Sequence, residues 1–117
     1  MQPTATQGTD RIVKTVSLQA QAAGTVVLLA AVAETVYRVV GFQVSFLTAG
    51  TFDIFHGAST DPAKTIAAGY AAANGGSNGQ MNDWAPQVGV KNEAVSMTTT
   101  GGDCTVVLHY IEIKVLG

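Results

Sequence analysis

An alternation of apolar and polar side chains with a period of two, broken by glycine every dozen residues or so, most constrains how this chain can fold. The alternating segments are rich in valine, threonine, isoleucine and aromatic residues, which is typical of half-buried β-strands. Glycine, asparagine and serine between the segments predict turns. The pattern predicts strands over 12–20, 25–32, 37–48, 51–56, 65–70, 93–100 and 104–116.

Strands that recur at this spacing, with turn residues between them, predict an all-β fold. We expect a single antiparallel β-sandwich or jelly-roll-like domain of about seven or eight strands. A chain of 117 residues has room for one domain. We therefore expect residues 1–11 to form a polar N-terminal arm and residues 12–117 to form the sandwich. Alanines at 30, 31 and 33 leave a helix as the alternative for the second strand.

Three local features refine this prediction. In 37–48, the even-numbered side chains from Arg38 to Thr48 include most of the bulky apolar ones and are predicted to face the core. The turn at 49–50 predicts that 51–56 returns as the hairpin partner of that strand. The glycine- and asparagine-rich segment 71–83 predicts a long flexible loop, which in a compact domain is usually functional or ordered by a partner.

The charge content excludes two classes of protein. Hydrophobic residues make up 47% of the chain and charged residues 12%, about half of the roughly 25% that is usual. Disordered chains show the opposite balance. The net charge is −2, and no run of Lys or Arg provides the basic stripe that nucleic-acid backbones require. A monomer with so few charges would have a surface poor in charged side chains, which indicates that partner subunits cover part of it.

Membrane and export segments are not predicted. Residues 22–33 are nearly all apolar, but a membrane span needs about 20 such residues. The first residues lack the positive start and apolar core of a secretory signal, so we expect synthesis in the cytoplasm without a signal peptide. The single cysteine, Cys104, excludes an intrachain disulfide and a multi-cysteine zinc site.

No pattern of catalytic, metal-binding or cofactor-binding residues is present in the sequence. His56 and His109 lack the HxH or HExxH spacing of a zinc site, and we expect each to lie on a sheet face or at a strand end. Cys104 and His109 are about 16 Å apart along one strand, too far to form a dyad. An acid–base pair among the eight carboxylates stays open, because sequence does not give distances between strands, but nothing favours one.

The aromatic residues suggest a binding role. Trp84 follows Asp83 at the end of the glycine-rich segment, where it would be an interface anchor, a sugar-stacking platform or a plug for the open end of the core. A carbohydrate-binding module would use Trp84, Tyr70 and Tyr37 as stacking side chains. Against this alternative, the four phenylalanines lie in strands that are predicted to face the core.

Five stretches define the layout of the chain: GTVVLL at 24–29, YRVVGFQVSF at 37–46, GTFDIFHGAST at 50–60, AANGG at 72–76 and GDCTVVLHYIEI at 102–113. In this layout, over roughly residues 24–115, the chain resembles the small β-sandwich decoration, cement or head-fibre proteins of tailed bacteriophages. The resemblance lies in the pattern of strands and turns.

The resemblance implies a virion structural protein without an active site. Such proteins usually form trimers on the capsid exterior and bridge subunits of the major capsid protein. A protein that binds only the expanded lattice stabilises that state by linkage. The arm would order on the capsid surface, with Arg11, Ile12 and Val13 near its anchoring point, while Tyr70, Asp83 and Trp84 are further candidate contacts. A tail or baseplate adhesion role and the carbohydrate-binding module are the alternatives.

Deletion of residues 1–10 tests the arm. Because the arm precedes the first predicted strand, the truncated chain is expected to keep its β-type circular dichroism spectrum but to bind the partner shell more weakly. Unchanged binding in a co-sedimentation assay would contradict the predicted role of the arm.

Overall fold

The computed structural model describes residues 12–58, 64–80 and 91–115, which form eight β-strands and no α-helix. All but one of the strands match a segment that the alternation predicts, with ends that differ by a few residues. The strands are β1 (Lys14–Gln21), β2 (Gly24–Leu29), β3 (Thr35–Phe46), β4 (Gly50–His56), β5 (Thr65–Ala71), β6 (Gly76–Gln80), β7 (Val95–Thr99) and β8 (Cys104–Lys114).

The strands form two four-stranded antiparallel sheets packed face to face. The first sheet has the order β1-β8-β3-β6 and the second has the order β2-β7-β4-β5. Successive strands alternate between the sheets except at β4 and β5, which pair directly. This order is that of a jelly roll, so the predicted all-β sandwich is confirmed.

The core lies between the sheets and is built from the inward side chains of both. Phe42 and Phe46 of the first sheet pack on Phe52 of the second, with ring centroids 5.7 and 6.4 Å apart. Ile54, Met97 and other side chains of β4, β7 and β8 are fully buried around them. Burying a side chain of this size contributes about 1.5–3 kcal/mol to folding, which makes the contact between the sheets the main source of stability.

A β-bulge in β3 reverses which side chains face the core. Val39 pairs with Tyr110 and Gly41 with His109, so Val40 is an extra residue in β3. Before the bulge the odd-numbered Tyr37 and Val39 are buried, and after it the even-numbered Phe42, Val44 and Phe46 are buried. The prediction that even-numbered residues face inward is therefore correct for Phe42, Val44 and Phe46. It is wrong for Arg38 and Val40, which are half-buried, and for Thr48, which is exposed beyond the end of β3.

Three further predictions are corrected. Residues 51–56 are not the hairpin partner of β3, because the chain crosses from the first sheet to the second between β3 and β4. The predicted flexible loop 71–83 contains the edge strand β6, whose residues 76–80 pair with β3. The helix alternative near residue 30 is wrong, because β2 pairs with β7 in the second sheet.

Irregular pairing marks three of the four edge strands. The register shifts between Leu18 and Gln21 in β1, between Val27 and Leu29 in β2, and between Ile54 and Phe55 where β4 pairs with β5. In the first case Ala20 has a positive φ of 51°. Bulges twist an exposed edge away from flat pairing with another chain, and the fourth edge strand, β6, is short. The edges of this sandwich are therefore poor templates for strand addition.

Close backbone packing holds the crossover from β3 to β4 against the turn between β7 and β8. A Cβ atom on Gly50 would lie 2.3 Å from the backbone nitrogen of Gly101. A Cβ atom on Gly101 would lie 2.5 Å from the carbonyl oxygen of Thr48. Neither position has room for a side chain, so glycine at both positions allows the two connections to pack closely against each other.

Gly50→Ala is expected to destabilise the fold by about 1–3 kcal/mol, because its methyl group must push two backbone segments apart. Gly102→Ala is the matched control, since a Cβ atom there meets nothing within 4 Å. Urea unfolding of the two variants and the wild type checks this. Equal stability of the two variants would contradict the close packing of the two connections.

Candidate functional site

The outer face of the first sheet carries a shallow groove over β3 and its two neighbours, β8 and the edge strand β6. We call it the outer groove. Its larger part has a volume of about 800 Å³ and continues at Gln43 and Asn78 into a second depression of about 480 Å³. The side chains that shape it are those of Val13, Val40, Gln43, Ser45, Asn78, Thr105, Val107 and His109.

The bulge in β3 explains the depth of the groove. It turns Gly41 to the outer face, next to His109 of β8. A Cβ atom at Gly41 would lie 3.4 Å from both His109 Cδ2 and the carbonyl oxygen of Gly79. With glycine at this position the floor of the groove is backbone, and the neighbouring side chains form its walls.

Mostly polar side chains form rows across the outer face of the first sheet. Ser17, Val107, Gln43 and Asn78 occupy paired positions on the four strands. In the next row, Nδ1 of His109 lies 3.0 Å from Oγ1 of Thr15, within hydrogen-bonding distance. Gln43 and Asn78 are exposed, so their amide groups are available to a ligand. The groove therefore offers hydrogen-bond donors and acceptors and no formal charge from Asp, Glu, Lys or Arg among the described residues.

The structure separates the predicted contact residues that it describes. Ile12 and Val13 are 61% and 53% exposed next to β1, and Val13 forms part of the outer groove. Tyr70 is 65% exposed on β5, an edge strand of the other sheet. β1 lies above β2 at one edge of the sandwich and β6 above β5 at the other, so these two places do not form one surface. Arg11, Asp83 and Trp84 lie outside the described residues.

Tyr37 cannot serve as a sugar-stacking platform. Its ring is buried, packs edge-on against Tyr110 at a centroid distance of 5.8 Å, and its hydroxyl donates a hydrogen bond of 2.7 Å to the carbonyl oxygen of Ala30. All four phenylalanines are buried as predicted. Tyr70 is thus the one strongly exposed aromatic side chain among the residues that the structure describes.

Cys104 and His56 are titratable side chains that lie buried in the sandwich. Cys104 is fully buried, and burial raises the pKa of its thiol, as expected for an unreactive cysteine. His56 is buried at the end of β4, with Nδ1 3.9 Å from Oε1 of Glu93. The other oxygen of Glu93 accepts a hydrogen bond of 2.6 Å from Lys64. Both histidines therefore lie where the sequence predicts, one at a strand end and one on a sheet face.

Charges are concentrated at one end of the sandwich. This end is where β3 begins and β8 ends. Here the start of β3 is hydrogen-bonded to the segment before β7, and the backbone nitrogen of Val115 donates a hydrogen bond to the carbonyl oxygen of Glu34. Of the ten charged residues that the structure describes, only Asp53 and Asp103 lie away from it. The eight at or near this end are Lys14, Glu34, Arg38, Lys64, Lys91, Glu93, Glu112 and Lys114. We call it the charged end and the opposite one the neutral end.

Within residues 12–58, 64–80 and 91–115, no three His, Cys, Asp or Glu side chains lie together as a metal site would require. Nor does this part of the chain contain a helix long and apolar enough to cross a membrane. Comparison with known proteins adds no assignment, since neither a family model nor a curated protein matches the chain.

The outer groove is the feature that sequence reasoning missed. The residues that line it were visible only as polar positions in alternating strands, and the alternation does not say which neighbouring strands bring them together. Gln43 and Ser45 on β3 and Thr105 on β8 were available as a signal, because uncharged polar residues at every second position indicate an outer face that excludes charge.

Tyr37→Phe tests the buried hydroxyl through the pH dependence of stability. Burial, followed by the nearby Glu112 carboxylate, raises the pKa of Tyr37 above 10.0. The folded protein then keeps a proton that the unfolded chain loses, so this contribution is present below pH 10 and is lost as pH rises through the raised pKa. The wild-type unfolding free energy is expected to fall more steeply above pH 10 than that of Tyr37→Phe.

At pH 7 the same substitution is expected to cost about 1 kcal/mol through the lost hydrogen bond. Tyr70→Phe, at an exposed tyrosine, is the control and is expected to leave the free energy at pH 7 unchanged. Parallel pH curves for the wild type and Tyr37→Phe would contradict the role assigned to the buried hydroxyl.

Proposed function

We propose that this chain is a non-enzymatic structural protein of a tailed-phage virion. In this proposal it is a trimeric decoration protein that binds the outside of the capsid lattice and stabilises it. Its partners are further copies of itself and the major capsid protein, and it needs no cofactor. The resemblance in the layout of strands and turns motivates the proposal, and the distribution of charge on the sandwich supports it.

The neutral end is the observation that carries the proposal. The cores of protein interfaces are depleted in Lys, Glu and Asp relative to the rest of the surface. At the neutral end the described connections 22–23, 47–49, 72–75 and 100–103 carry a single charge, Asp103. Leu47 is 57% exposed among them. An end of this composition is suited to burial against another protein, whereas the charged end is suited to solvent.

The edge strands indicate that a contact with the capsid does not form by strand addition. Their bulges and the shortness of β6 disfavour addition of a partner strand. Contacts with the capsid would therefore use side chains of the connecting turns, with Leu47 as an apolar anchor. The jelly-roll topology is compatible with this role but does not select it, because the fold serves in lectins as well as in viral capsids.

The proposed mechanism is thermodynamic linkage. A protein that binds the expanded capsid lattice and not the dissociated subunits adds free energy of binding to the assembled state. The stabilisation grows with the concentration of free protein relative to its dissociation constant, reaching about 2.7 kcal/mol per site at a hundredfold excess. Chemistry at an active site is not needed for this role.

Capsids assembled without this protein provide the direct test. Added protein is expected to sediment with expanded capsids at a fixed stoichiometry, and to raise the temperature at which they release their DNA. Protein that stays in the supernatant with capsids of the encoding phage would contradict the proposal. Enzymatic turnover of a substrate by the purified chain would contradict its non-enzymatic part.

Leu47→Glu is expected to weaken capsid attachment at least about tenfold, because it places a charge in the apolar contact of the neutral end. Val32→Glu is the matched control, since Val32 is 41% exposed in the connection between β2 and β3 at the charged end. Co-sedimentation over a range of protein concentrations measures both affinities. Equal loss in both variants, or loss in Val32→Glu alone, would contradict the assignment of the neutral end to the capsid.

A further inference from the structure

We propose that the outer groove binds a neutral oligosaccharide, held by hydrogen bonds from the side-chain amides of Gln43 and Asn78 and from the imidazole of His109. This inference does not depend on the virion role, and it differs from a stacking platform because it uses no exposed tyrosine or tryptophan. The groove, its lining and its position on the sheet carry it.

The neutrality of the groove selects the charge of its ligand. No Lys, Arg, Asp or Glu is among the described residues that line it. A charged ligand would lose water here without gaining an opposite charge, which is costly. A nucleic acid needs Lys or Arg to neutralise its phosphates, and the groove has none among these residues. A neutral ligand is therefore favoured.

The hydrogen-bonding groups of the groove match sugar hydroxyls. An amide side chain offers two donors and one acceptor, and a hydroxyl is both a donor and an acceptor. Gln43 and Asn78 project from directly paired positions on β3 and β6, so one ligand can reach both. Ser45 and Thr105 extend the row of polar groups along the second depression, while Val107 provides an apolar surface for the C–H face of a sugar ring.

The position and shape of the groove disfavour protein segments as ligands. An extended peptide binds a sheet at its edge, where backbone groups are unpaired. The groove is centred on β3, which has a paired strand on each side, and the edge strand β6, which also lines it, is short. The same face of a second copy is also concave, so two grooves packed together would leave space unfilled. A volume of about 800 Å³ is within the roughly 300–1,000 Å³ of small-ligand sites.

Nuclear magnetic resonance of the ¹⁵N-labelled full-length chain tests the proposal. The probes are maltotetraose, cellotetraose, mannotetraose and chitotetraose, each added to about 10 mM, which detects dissociation constants in the millimolar range. At least one of these is expected to shift the side-chain amide signals of Gln43 and Asn78 and the ring signals of His109. The anionic 3′-sialyllactose is expected to bind more weakly than the best neutral probe.

Gln43→Ala and Asn78→Ala are each expected to weaken binding about fivefold, as loss of one hydrogen bond predicts. Gln19→Ala is the matched control, because Gln19 is an exposed amide on β1 outside the lining of the groove. All three side chains are exposed, and unchanged backbone signals elsewhere check that the fold is kept. Three results would each overturn the proposal: no shift with any probe, shifts confined to other surfaces, or variants that bind like the wild type.

Discussion

One extra residue in β3, Val40, determines both the core and the outer face of the first sheet. Without it a strand with period two would bury either Tyr37 and Val39 or Phe42, Val44 and Phe46, but not both sets. The bulge lets the whole strand contribute to the core, where Phe42 and Phe46 meet Phe52 of the second sheet. The same bulge turns Gly41 outward and opens the outer groove, so the packing of the interior and the shape of the surface have one origin.

Much of this fold could be predicted from the sequence, and the parts that could not have physical reasons. The strands rich in valine and phenylalanine follow from their alternation. β6 was missed because Gly76–Gln80 contains glycine, serine, asparagine and glutamine, which indicate a loop, whereas its pairing with β3 comes from the tertiary structure. The turn at residues 49–50 does not reveal whether the next strand stays in the same sheet. A bulge has no local signature, so the residues up to and including Val40 were assigned to the wrong face.

The surface could be predicted less well than the core. The low charge content can be read from the sequence, but the segregation of charges at one end depends on which strand ends the fold brings together. Glu93 and Lys64 form an ion pair near His56, although they are far apart in the sequence. Of the predicted contacts, Val13 lies at the outer groove and Tyr70 at the opposite edge. The neutral end and the outer groove thus emerge only from the three-dimensional structure, and they give the proposals their testable surfaces.

In the proposed function, part of this sparsely charged surface is covered by other copies of the chain. The mass of the purified protein in solution, measured by light scattering over a range of concentrations, tests it most directly. We expect a stable trimer, three times the 12.0 kDa of one chain, whose mass does not fall on dilution. A monomer at every concentration would contradict this, because no other copy of the chain would then cover the sparsely charged surface.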